Sequence, residues 1–109
     1  MLPNAESAYI PLEKLTGYLL SETHAVGKSK ARFFKAHGYD KDNLQLLERD
    51  LLSVPRYNEI DEQIASPYGT KYMVRGVMET PRGTAVMVNT VWIVEQPGER
   101  PRFVTAYPG

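Results

Sequence analysis

Apolar residues recur at two different periods along this chain, and the change of period divides it in two. In the N-terminal part the spacing is helical. Pro11 suits a first helical position, where its missing N–H costs nothing. Leu12, Leu15, Tyr18 and Leu19 follow on one stripe, to about Ser21. A short loop over residues 22–27 carries His24. Ser29 caps a second helix over 30–37, striped by Ala31, Phe33 and Phe34 and stopped by Gly38, a residue at ease in the left-handed conformation. Asp40 or Asp42 caps a third helix through Leu44, Leu47, Leu51 and Leu52, ended by Pro55. Residues 58–65 are expected to add a further helical turn.

From residue 71 the period drops to two. Residues 71–79 alternate and are rich in Tyr, Val and Met, and Thr80-Pro81-Arg82-Gly83 reads as a hairpin turn. Residues 85–95 form the strongest strand, a central one with Trp92 in the core. Gln96-Pro97-Gly98-Glu99 is a second turn, and 102–107 a last strand. Helices followed by consecutive hairpins predict an α+β fold, N-terminal helices packed on a three- to four-stranded antiparallel sheet meander, with residues 1–109 as a single domain.

Composition narrows the function classes. The 109 residues contain no cysteine, so disulfides and thiolate metal sites are excluded. There is no apolar run long enough to span a bilayer and no basic-then-apolar leader at the start, so the cytoplasm is the expected compartment. Thirteen basic and 13 acidic side chains cancel, which argues against passive coating of nucleic acid. The charge is uneven, however. Lys28, Lys30, Arg32, Lys35 and Lys41 stand against Asp40 alone, whereas residues 42–62 lean acidic. A local positive face is compatible with overall neutrality.

The chemistry-bearing residues centre on His24 and the cations after it. Metal-free cleavage of RNA needs a base for the 2′-OH proton, cations for the charge on phosphorus, and an acid for the leaving oxygen. An imidazole can take or give a proton near neutral pH, so His24 suits either proton role; it equally fits an ordinary histidine at a helix entry. Lys28 and Lys30 lie at a helix start, where a cation opposes the dipole and an anion is welcome; a solvated basic face has the same composition. Gly27-Lys28-Ser29 is no phosphate loop, because Glu22 stands where that motif requires glycine. Thr105 and Tyr107 share one face of the last strand and can orient a phosphate or stack a base. Lys71 and Arg75 share a face of the first strand and, with Lys28 and Arg32, are the candidate phosphate contacts. His37 suits the end of its helix. No cofactor is expected, and with no paired carboxylates no metal either.

Leu2-Pro3-Asn4-Ala5, His24-x-Val26-Gly27-x-Ser29-Lys30-Ala31-x-Phe33-Phe34, Tyr68-Gly69-x-Lys71-Tyr72, Thr90-Val91-Trp92 and Thr105-Ala106-Tyr107-Pro108 together resemble a small uncharacterised bacterial domain family of unknown function, met also at the ends of toxin-like proteins. The helix-then-meander order is in turn similar to the barnase–EndoU–colicin–RelE group of ribonucleases, many of them toxins restrained by a neighbouring antitoxin. The resemblance implies a metal-independent ribonuclease, the toxin of a toxin–antitoxin pair, with RNA and a small antitoxin-like protein as partners. His24, Lys30, Thr105 and Tyr107 are the expected catalytic set. The alternative is a non-enzymatic module that binds a small partner protein. Neither reading specifies an oligomeric state.

Overall fold

The computed structural model describes residues 1–21, 23, 24 and 28–109. Three helices come first: α1 (Leu12–Lys14), which continues directly into a π-helical segment, Leu15–Leu19; α2 (Lys28–Ala36); and α3 (Leu44–Tyr57). Four strands follow, β1 (Ile60–Ser66), β2 (Gly69–Glu79), β3 (Ala85–Val94) and β4 (Arg102–Pro108). They form one sheet in the order β1-β2-β3-β4, every pair antiparallel. The fold is α+β with a four-stranded meander.

The junction between α2 and α3 shows how closely local chemistry sets the path. The N–H of Tyr39 donates to the Phe34 carbonyl at 3.0 Å and that of Gly38 to Lys35 at 3.1 Å, with Gly38 at φ 99°. This paired closure needs a left-handed residue, and glycine supplies it without strain. The rings of Phe34 and Tyr39 then meet at 6.2 Å, sealing the helix end. Asp40 accepts from the N–H of Asp42 at 2.8 Å and Asn43 accepts from that of Asp40 at 2.8 Å, a reciprocal cap that starts the turn leading into α3.

One sheet face is apolar and carries the helices. Val74, Met78, Val88, Trp92, Phe103 and Ala106 meet Leu15, Leu19, Phe34, Leu47, Leu51 and Val54, all buried. Thr90 is buried among them without an orphaned group: its hydroxyl donates to the Val74 carbonyl at 2.8 Å and accepts from the Trp92 indole at 2.9 Å. The opposite face carries Lys71, Met73, Arg75 and Val77 of β2, with Asn89 and Met87 of β3 and Tyr107 of β4, by register and strand alternation; Thr105, beside the register irregularity at the edge of the sheet, meets Tyr18 of the helical layer.

The structure corrects three local expectations and ranks the phenylalanine pair. Residues 60–66 form a strand, not a helical turn. The segment lies against the free edge of β2, and pairing there satisfies its backbone where a short acidic helix would bury nothing. Ser66 shapes the return, donating to the Gly69 carbonyl at 2.8 Å and accepting from the Tyr68 N–H at 3.2 Å. Pro55 does not end α3, which continues to Tyr57: the buried proline sits in the last turn, and the Asn58 side chain donates to the Val54 carbonyl at 2.8 Å. α2 begins at Lys28, so Ser29 lies inside its first turn rather than capping it. Phe34 is the fully buried member of the phenylalanine pair and Phe33 only half-buried.

Candidate functional site

Tyr18 stands at the centre of the chemistry-bearing residues. It lies in the π-helical segment, whose wider turn is seen in the Leu20 N–H bonded to the Leu15 carbonyl at 3.1 Å. Such single turns re-aim side chains and recur at functional sites. The Tyr18 hydroxyl is 2.9 Å from the Thr105 hydroxyl on β4, an edge strand. Its ring meets the His24 imidazole edge-on, with centroids 5.1 Å apart. The Lys14 ammonium is 4.8 Å and the Lys30 ammonium 5.7 Å from the centre of the same ring. Both distances suit attraction between a cation and an aromatic face.

Local bonds hold His24 there. The Ser21 hydroxyl accepts from the N–H of Thr23 at 3.3 Å and of His24 at 3.2 Å, closing a serine turn. The His24 carbonyl then accepts the Lys28 N–H at 3.0 Å, joining the turn to the start of α2. Glu22 and residues 25–27, the rest of the expected loop, lie outside the described residues. α2 in turn packs on the π-helical segment and on β4. Lys30 is thereby brought to the same corner as Thr105.

Three of the four expected catalytic residues, His24, Lys30 and Thr105, therefore gather around one tyrosine. Tyr107 lies two residues beyond Thr105, half-buried on the outer sheet face and opposite Asn89. Lys71 and Arg75 are exposed on that same face. Lys28 and Arg32 are exposed but not part of the cluster. A helix advances about 100° per residue, so both sit roughly 200° around α2 from Lys30. His37 is engaged elsewhere, its Nδ1 3.0 Å from the Thr84 hydroxyl.

Tyr18 and Lys14 were not legible as site residues. Tyr18 falls on the apolar stripe of the first helix, where a tyrosine reads as core. A π-turn has no sequence signature in that stripe, and the partner hydroxyl is 87 residues away.

A groove of about 580 Å³ lies elsewhere, between α3 and the end of β2. Several of its polar groups are already bonded within the protein. Asp50 accepts from the Tyr39 hydroxyl at 2.6 Å and pairs with Arg49 at 3.1 Å, Ser53 donates to the Asp50 carbonyl at 2.6 Å, and the hydroxyls of Thr80 and Thr84 are 2.7 Å apart. Among the described residues no group of three or more His, Asp or Glu side chains is arranged to hold a metal ion, and no helix is long and apolar enough to cross a membrane.

The chain belongs to a family described as a domain of unknown function (DUF6883), whose model matches residues 1–109. Among functionally curated proteins no sequence matches it. In fold it is similar to a chain of a contact-dependent growth inhibition toxin–immunity protein complex from Klebsiella pneumoniae 342. The TM-score is 0.75 at 17% identity, over 95% of this chain and 95% of that one.

Proposed function

We propose that this member of the DUF6883 family is a metal-independent endoribonuclease and the toxin of a bacterial toxin–antitoxin pair. The observation that carries the reading is the single cluster of His24, Lys14, Lys30 and Thr105 around Tyr18. It combines an imidazole, two cations and a pair of hydroxyls. His24 removes the proton from a ribose 2′-OH, and the freed oxygen attacks the adjacent phosphorus. The bond from phosphorus to the 5′-oxygen breaks, and that oxygen takes a proton from water. The products are a 2′,3′-cyclic phosphate and a 5′-hydroxyl. Lys30 and Lys14 offset the charge that builds on phosphorus, and the Tyr18–Thr105 pair orients the reacting groups. Similarity of fold to a chain from a toxin–immunity complex fits a toxin- or immunity-type protein with a small protein partner, and the cluster around Tyr18 favours the toxin.

The test is direct. Purified protein is incubated with bacterial RNA in EDTA, alongside the His24→Ala variant. The chain is also expressed inducibly in bacteria with and without the neighbouring gene. Cleavage to cyclic-phosphate ends, lost in the variant, and growth arrest relieved by the neighbour support the reading. Intact RNA under every condition overturns it.

A second reading is favoured by one observation. β1 has a single neighbour in the sheet and is exposed from Asp61 through Ser66. A free strand edge offers unpaired backbone groups to another chain. In that reading the chain is a non-enzymatic module that binds a small protein, and tight partner capture without RNA cleavage distinguishes it.

A further inference from the structure

We infer that Asn89 is a base-reading residue, which with Tyr107 and Arg75 forms a nucleotide subsite on the outer sheet face. The inference rests on the RNA reading above and supplies its specificity. Register puts the three side chains in one row: Arg75 is opposite Asn89, and Asn89 is opposite Tyr107. Directly opposed residues have Cβ atoms about 5 Å apart, so the row spans roughly 10 Å, about the reach of one nucleotide from phosphate to base.

Asn89 is out of character for its position. It interrupts Ala85-Val86-Met87-Val88-Asn89-Thr90-Val91-Trp92-Ile93-Val94, a run otherwise suited to a central strand. Asparagine is depleted in strands, and a residue that contradicts its element without a structural return marks a functional position. The comparison with its neighbour is direct. Thr90, on the inner face, uses its hydroxyl twice within the core. Asn89 is half-buried on the outer face, and among the described residues its amide bonds to no protein group. It therefore presents one acceptor and two donors to whatever lies on the sheet.

The three groups have complementary tasks. The Tyr107 ring supplies a π-face for a base. The Asn89 amide pairs a donor and an acceptor on the base edge, a match that adenine meets with adjacent groups. The exposed guanidinium of Arg75 meets a phosphate at the far end of the row. The neighbouring row along β4 begins with Thr105, two residues and about 7 Å from Tyr107. A base held at Asn89 thus lies about one nucleotide from the Tyr18–Thr105 pair.

The experiment measures binding in the His24→Ala background, which keeps RNA intact. The probes are short uridine-flanked RNAs that differ only in one central base, read by fluorescence anisotropy. The four bases should bind unequally. Asn89→Ala, and Asn89→Thr as a variant that retains strand propensity, should reduce the preference by about tenfold. Asn89→Asp should shift it toward guanine, whose edge offers two adjacent donors to a carboxylate. Tyr107→Ala should weaken all four probes alike. If both Asn89→Ala and Asn89→Thr retain the order and ratios of the parent, the assignment is overturned. Base-dependent binding lost in these variants, with no cleavage by the wild-type chain, keeps this inference and removes the nuclease. Absence of binding to every probe by folded protein removes both.

Discussion

The Tyr18 hydroxyl lies 2.9 Å from the Thr105 hydroxyl, joining a π-helical turn to the edge strand of the sheet across 87 residues of sequence. His24 and Lys30 reach the same ring from the turn and helix that follow. Tyr18→Phe keeps the ring and deletes only the bond. Such a part-buried bond contributes about 0.5–1.5 kcal/mol, so the variant should stay folded with its Tm lowered by a few degrees. Cleavage of RNA should fall in Tyr18→Phe and in Thr105→Val. The double variant should lose no more than the worse single one, because the two act as a pair. Additive losses in the cycle refute the pairing.

His24→Ala should lower the cleavage rate by roughly 10²–10⁴-fold, the usual contribution of a positioned acid or base. Wild-type cleavage should persist in EDTA, since the clustered groups are an imidazole, ammoniums and hydroxyls. A rate restored by added magnesium after EDTA treatment counts against the mechanism.

Lys30→Ala should weaken RNA binding about equally for all sequences. The slope of log affinity against log salt should become shallower by about one, reflecting one lost phosphate contact. Lys28→Ala, on another flank of α2, should change the slope less. Titrations over a range of salt concentrations distinguish the two.

Phe34→Ala should destabilise the fold by about 3–5 kcal/mol, because this α2 side chain is fully buried in the core with its ring against Tyr39. Phe33 is half-buried and packs edge-on against Phe34 and His37, so Phe33→Ala should cost less. Urea denaturation of the two variants provides the ranking, and a larger loss in Phe33→Ala contradicts the assignment.

Tyr39 is buried and donates to Asp50, and both desolvation and the carboxylate raise its pKa above the ordinary tyrosine value. The folded state therefore holds this proton more tightly than the unfolded chain. Its contribution is complete below about pH 10, where an unfolded tyrosine begins to ionise, and is lost as pH rises beyond it. Stability should decline above that pH, and less steeply in Tyr39→Phe. Parallel pH–stability curves for the two proteins exclude the assignment.

Much of this architecture is local in origin and was legible in the order of residues. The helical stripe over Leu44, Leu47 and Leu51, the left-handed stop at Gly38, the cap at Asp40 and the alternation flanking Trp92 each depend on neighbours a few positions away. Chain geometry and capping chemistry act at that range. The types of group needed for the candidate site were legible too, because His24, Lys30 and Thr105 carry their chemistry wherever they lie.

Tertiary structure decided what depends on distant partners. Residues 60–66 carry no strand alternation of their own and became β1 because β2 offered an open edge. Phe34 rather than Phe33 entered the core because the rotation of α2 was set by packing on β4 and the π-helical segment. Above all, Tyr18 left the apolar stripe for the hydroxyl of Thr105, a choice made by a widened turn and a strand 87 residues away. Local propensity encodes which elements form. Which side chains meet is decided only when the sheet closes against the helices, since that contact fixes the rotation of each helix and the register of each strand.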